Sequence, residues 1–220
     1  MERRLTQRGR DRRRQLLREA TRLFSKQGYH PTSVTDIVVA LGVGKGVFYW
    51  YFPSKDALLV EILRSAHQDL RRRQQAAIGD EPDPIRRIEL GIRASMEWFA
   101  EHRGSFNLFQ FAATEERFAP VLRRNQEVAI ADTVRHVKEG IVEGRIADQD
   151  PEVLAHAVVG VTERLAQAYL LERDEPVERV SDAAVTFCLR GLCGEAQPRP
   201  DSLDLGSHSR RGRRPSLEAL

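Results

Sequence analysis

Apolar residues recur along almost the whole chain at three- and four-residue intervals, and nowhere do they alternate over a sustained run; that pattern restricts the fold to an all-α one. Leu16, Leu17, Ala20, Leu23 and Phe24 form one stripe from about residue 10 to 27, and Gly28 supplies its stop. A short helix is predicted from Ser33 to Leu41, with Ser33 as N-cap and Asp36 completing a capping-box-like start. Gly42-Val43 reads as a tight turn, followed by a second short helix from Gly44 to Tyr51. After the Pro53-Ser54 break, Leu58, Leu59, Ile62, Leu63, Ala66 and Leu70 mark a longer helix.

The stretch 79–84 is rich in turn formers and reads as the inter-domain loop. Asp83-Pro84 and Asp150-Pro151 each read as N-cap plus first helical residue, because proline lacks the amide that a helix start leaves unpaired anyway. Helices are expected from Pro84 to about His102, from Ser105 to Glu116, from about Ala119 to Glu143, from Pro151 to about Glu172, and from beyond Pro176 to near Gly194, about nine in all. Residues 195–220, with several Pro, Ser and Gly and the run Arg210-Arg211-Gly212-Arg213-Arg214, read as a disordered tail. The expected divisions are therefore a basic disordered arm (1–14), a smaller helical unit (15–60), a larger helical domain (61–194) and the tail.

Charge separates along this plan. Twelve Lys and Arg against five acids in residues 1–60 give +7, so the rest of the chain carries −4 within a net +3. A basic N-terminal unit on a mildly acidic remainder suggests a polyanion at one end. Met1 to Arg14 alone hold seven arginines, suited to a minor groove or phosphate backbone. No run of about 18 apolar residues suggests a membrane span, and the basic start lacks the apolar stretch of a secretory signal, so a cytoplasmic protein is expected.

Two short helices joined by a glycine-containing turn form a helix-turn-helix pattern, in which one helix braces on the phosphates while the second enters the major groove. Ile37, Val38, Leu41, Val43, Val47 and Phe48 would lock the pair together. The run from Thr32 to Ile37 and then Leu41-Gly42-Val43-Gly44-Lys45-Gly46-Val47-Phe48-Tyr49-Trp50-Tyr51-Phe52-Pro53-Ser54-Lys55-Asp56-Ala57-Leu58-Leu59 resembles the N-terminal signature of the tetracycline-repressor (TetR) family, with Leu23-Phe24 and Gly28-Tyr29 ahead of it. The resemblance covers about residues 10–63 and implies DNA contacts from Ser33, Thr35, Gly44, Lys45, Gly46, Val47, Tyr49, Trp50, Tyr51 and Lys55. Tyr49 and Lys55 match phosphate-contacting positions; Lys45 suits either guanine O6/N7 or a phosphate. Ser33 is a cap first and a phosphate contact second. Thr35 suits a base or backbone contact or a solvent-facing role, and Trp50 and Tyr51 suit the DNA face or packing. Gly44 and Val47 stand where the family often has Ser or Thr, which removes two polar contacts.

The resemblance also implies that the larger domain binds a small molecule and dimerises. Met96, Phe99, Phe106, Phe109 and Phe111 lie in an aromatic-rich stretch able to line a pocket, with His136, Glu163 and Tyr169 as polar anchors, which suits an apolar or aromatic effector. Val153, Ala157, Val161, Leu165, Ala168, Val180, Ala184 and Phe187 are the expected homodimer face. Two-fold symmetry would then match a palindromic double-stranded DNA operator, released when the effector binds; the protein would be nucleoid-associated when bound. The competing expectation is a nonspecific, architectural DNA-binding protein.

Catalytic chemistry finds no residues. Gly42-Val43-Gly44-Lys45-Gly46 lacks the spacing, hydroxyl residue and preceding strand of a phosphate-binding loop. The six histidines are scattered, no metal-ligand spacing occurs, and no cofactor is expected. Cys188 and Cys193 would point roughly 140° apart at ~100° per residue on a helix, which suits neither a zinc site nor a local disulfide.

Overall fold

A computed structural model describes residues 6–194 and folds them into nine α-helices with no strand among the described residues. They are α1 (Gln7–Gln27), α2 (Val34–Ala40), α3 (Lys45–Tyr51), α4 (Lys55–Ile78), α5 (Pro84–Glu101), α6 (Arg103–Ala113), α7 (Ala119–Val142), α8 (Pro151–Leu165) and α9 (Val177–Cys193). A 3₁₀ turn (Glu116–Phe118) precedes α7, and α8 runs on into a π-helical stretch, Ala166–Leu171. The expected tail, 195–220, lies outside the described residues, as do residues 1–5 of the arm. No helix among those described is long and apolar enough to cross a membrane.

The rest of the arm corrects an expectation: Gln7 to Arg14 is helical, not disordered. Two local effects and one long-range tie explain it. Thr6 caps the start by accepting from the Gly9 amide at 3.2 Å, and Gln7, Asp11, Arg10 and Arg14 pair at three- and four-residue spacing. Arg13 then ties this first stretch to the fold, ion-paired with Glu61 at 3.0 Å and lying over the Phe52 ring.

Two apolar cores form. Leu16, Leu23 and Phe24 of α1 meet Ile37, Phe48, Phe52, Leu58, Leu59 and Leu63 in the first. Each such side chain contributes roughly 1.5–3 kcal/mol by leaving water. The second gathers Ile88, Ile92, Met96 and Trp98 of α5 with Val137 of α7, Val158 of α8 and Val180, Ala184 and Cys188 of α9.

The join between the two is not the loop at 79–84, which connects α4 to α5 beside the second core. It falls inside α4, an unbroken 24-residue helix whose early residues enter the first core while Ala66 and Leu70 pack on the second. A further tie comes from α6: Leu108 and Ala112, with Phe118 and Val121 beyond them, are buried in the first core, whereas Phe106 is buried in the second.

Candidate nucleic-acid interface and ligand cavity

The sequence builds α2 and α3 with local signals. Ser33 Oγ accepts from the Asp36 amide at 3.2 Å, and the Asp36 carboxylate accepts in return from the Ser33 amide at 2.7 Å. Gly42 turns the chain between the helices at φ +64, a region closed to most side chains. On α3, Phe48 is fully buried, Val47 and Tyr51 are half-buried, and Lys45, Gly46, Tyr49 and Trp50 are exposed. Tyr49 and Trp50 are each more than half accessible. Gly44 caps α3 without a side chain, and a Cβ at Gly44 or Gly46 would meet nothing, so the start of this helix is open on its outer side. Thr35 and Ser33 are exposed beside it on α2. The candidate contacts on α2 and α3 are therefore individually accessible, apart from half-buried Val47 and Tyr51.

Lys55 does not present a free ammonium. Its Nζ donates to the carbonyls of Tyr29 and Thr32 at 2.8 Å each and approaches that of His30 at 3.4 Å, and it lies 4.2 Å from the Tyr29 ring centroid. An ammonium has three donors, and all three point at the loop that follows α1. Burial lowers its pKa from the usual lysine value. The expected phosphate clamp is thus corrected to a brace between α4 and the α1–α2 loop.

That loop meets the larger domain. The Tyr29 hydroxyl donates to Asp56, and its ring packs on Phe111 at 5.1 Å and Phe118 at 5.9 Å. Burial, then the Asp56 hydrogen bond, raises its phenol well above the ordinary range. His30 reaches Glu115 at 2.9 Å, and Arg117 lies over both Tyr29 and Phe118 while pairing with Glu115. Gly104 completes the contact: a Cβ there would stand 2.5 Å from Ser25 Oγ on α1.

Between α4, α5, α6, α7 and α8 lies a cavity of about 750 Å³. Phe99, Phe106, Phe109, His136 and Glu163, expected as pocket residues, line it. Met96, Phe111 and Tyr169 do not: Met96 is sealed in the core, Phe111 faces the Tyr29 junction, and Tyr169 packs under Arg173. Sequence reading missed His67, Arg71, Arg87 and Asp132. Their signal was polar pairs at helical spacing, His67 with Arg71 and Asp132 with His136, on otherwise apolar faces. Arg71 donates to Asp132 at 2.5 and 3.1 Å, and Gln74 to Ser95 at 2.9 Å. His67 Nε2, His136 Nδ1 and Arg87 Nε are buried without a hydrogen-bond partner among the described residues, and all three residues belong to this wall. Burial holds both histidines below the usual imidazole pKa, so they are neutral at pH 7, aided by Arg71 beside His67 and Arg87 beside His136.

The expected dimer face divides. Val153 and Phe187 are exposed, Ala157 is exposed, and Val161, Leu165 and Ala168 are half-buried. Val180 and Ala184 are instead buried in the second core, because α9 turns that stripe toward α5. The outward stripe of α9 is Ala183, Phe187 and Gly191. A Cβ on Gly160 or Gly191 would meet nothing, so both helices are smooth there. Cys188 faces inward and burial pushes its thiol up to about 11; Cys193 is exposed, and both are free.

Comparison with known proteins agrees with this arrangement. The sequence profile described as "Bacterial regulatory proteins, tetR family" matches residues 16–62. The chain is 25% identical over 189 residues to the uncharacterised helix-turn-helix regulator YdgC of Bacillus subtilis, spanning 82% of this chain and 92% of that one. It is 26% identical over 174 residues to the transcriptional repressor DhaR of Mycobacterium sp. (strain GP1), spanning 76% and 87%. A TetR/AcrR-family regulator from Thermobifida fusca superposes with a TM-score of 0.69 at 25% identity, over 82% of this chain and 98% of that one.

Proposed function

Since the chain is a helix-turn-helix transcriptional regulator of the TetR family, we propose that it is a repressor that holds a palindromic operator as a homodimer and lets go when a small molecule fills the cavity. The relatives belong to a family of regulators, not enzymes. One observation supports the ligand response above all: α6 serves two structures at once. Phe106, Phe109 and Gln110 line the cavity, while Leu108 and Ala112 are buried in the core that positions α3. A ligand that moves α6, or α4 beside it, moves the DNA-binding unit with it. Only a difference in ligand affinity between the two arrangements drives this, and such couplings typically amount to 1–3 kcal/mol, roughly 5- to 150-fold in operator affinity.

On the DNA side, Lys45, Tyr49 and Trp50 supply the groove-facing chemistry, with Ser33 and Thr35 on α2 beside them. The arginines of α1, among them Arg8, Arg12 and Arg14, add phosphate affinity that salt weakens. On the dimer side, Val153, Ala157 and Gly160 of α8 with Ala183, Phe187 and Gly191 of α9 make the self-complementary face.

Selection of bound fragments from random duplex DNA with the full chain tests the reading. A repressor yields one inverted repeat and keeps it against excess random DNA. Sequences without a common repeat, retained no better than competitor, would establish a nonspecific DNA-coating protein instead.

A further inference from the structure

Resting on the reading that the cavity is the effector site, we propose that its effector is an organic cation, an apolar body carrying one positive charge. The charges of the wall make the case. Each arginine that reaches the cavity already has a carboxylate: Arg71 and Arg135 share Asp132, and Arg87 pairs with Glu139. Arg87 Nε, which has no partner among the described residues, is buried. His67 and His136 are held neutral by their surroundings and offer no charge. An entering carboxylate or phosphate would compete with these carboxylates for the arginines.

Glu163, together with Asp80 on the exposed loop after α4, is unpaired on this wall. It opens toward the cavity from α8 and has no hydrogen bond or ion pair among the described residues. Its side chain is solvent-accessible on the cavity side, and crowding by the surrounding protein, with no charged neighbour contributing, raises its carboxyl pKa. A positive charge arriving beside it would favour its ionised form. Phe99 and Phe106, with ring centroids 4.5 Å apart, and Phe109 complete the fit, because aromatic faces attract cations and exclude none of the apolar body.

The test uses two ions of matched shape, tetraphenylphosphonium and tetraphenylborate, with the smaller, uncharged triphenylphosphine oxide as reference, titrated calorimetrically into the full chain. The protein as a whole is +3, which favours the borate and makes the test strict. The phosphonium is expected to bind at least tenfold tighter than the borate. Glu163→Gln is expected to weaken phosphonium binding about tenfold while leaving the phosphine oxide affinity and the Tm in place; Glu163→Asp should retain the preference for the cation. Tighter binding of the borate, or an unchanged ratio in Glu163→Gln, overturns the cation assignment and leaves the cavity standing as a ligand site. Binding that survives Ala129→Trp, a substitution that fills the cavity, places the probes elsewhere and overturns the proposal too. If none of the three probes binds, the effector-site reading fails, and the cation with it.

Discussion

Two lysines ten residues apart carry opposite assignments, and a single pair of measurements separates them. Lys45 is exposed at the start of α3 with no ion pair or hydrogen bond among the described residues, whereas the three donors of Lys55 are spent on loop carbonyls. Lys45→Ala should leave stability within about 0.5 kcal/mol and lower the salt slope of operator binding by about 1. Lys55→Met should leave that slope unchanged and lower stability by about 1.5–3 kcal/mol, the range for hydrogen bonds to a charged group. Thermal unfolding and operator titrations at several salt concentrations check both. A fall in salt slope with Lys55→Met would return it to the phosphates. Histidine gives the pH counterpart. His67 faces Arg71 and Asp132, and His136 faces Arg87, Arg135, Glu139 and Asp132; burial first, then the arginines, lowers both pKa values. The folded state then binds fewer protons than the unfolded chain, whose histidines titrate near 6.5. Stability is therefore complete above that value and declines as the pH falls through it. The Tm should drop between pH 7.5 and 5.5, and His136→Gln should flatten the drop.

At the scale of elements, what could be read in advance was what local chemistry decides. Ser33 with Asp36, Asp83-Pro84 and Asp150-Pro151 set helix starts through groups a few residues apart, and all three caps form. The cavity was less legible because five helices build it, and periodicity names an apolar face without naming its neighbour. Phe109 and Phe111 show the difficulty: two residues apart on α6, one lines the cavity and the other packs on Tyr29. Likewise α9 carries an inward and an outward stripe, and only the packed fold shows that Val180 and Ala184 belong to the former. The Tyr29–Phe111 contact yields its own prediction. It ties the α1–α2 loop to α6, whose Phe106 enters the second core, so Phe111→Ala should loosen the DNA-binding unit from the rest. Calorimetry should show the DNA-binding unit melting earlier, with a cost of about 1–3 kcal/mol for a half-buried ring, less than the 3–5 kcal/mol of a fully buried one. A single transition shifted as a whole would mean that α4 alone carries the coupling.

In the proposed homodimer the two stripes of α9 play opposite parts, and substitutions on each should behave in opposite ways. Phe187 is 66% exposed, and Gly191 one turn further leaves room for another backbone to approach. A ring of that size is held in water at a cost unless a second copy covers it. Phe187→Glu would set carboxylates against each other across a two-fold axis, and at that surface position it touches nothing that the single chain needs. Sedimentation should then show a monomer with an unchanged Tm at low concentration. Operator affinity should fall at least tenfold, because binding the second half-site is no longer an intramolecular event. Val180→Ala is the converse. Val180 is 4% exposed within the second core, so the change should cost about 1–3 kcal/mol of stability and leave association intact. Were Val180→Ala to dissociate the dimer while Phe187→Glu did not, the helix would have to present its other stripe to the partner. The second core, from Ile88 to Leu192, would then be open in the assembled protein, and the cavity beside it would lose the wall that gives it shape.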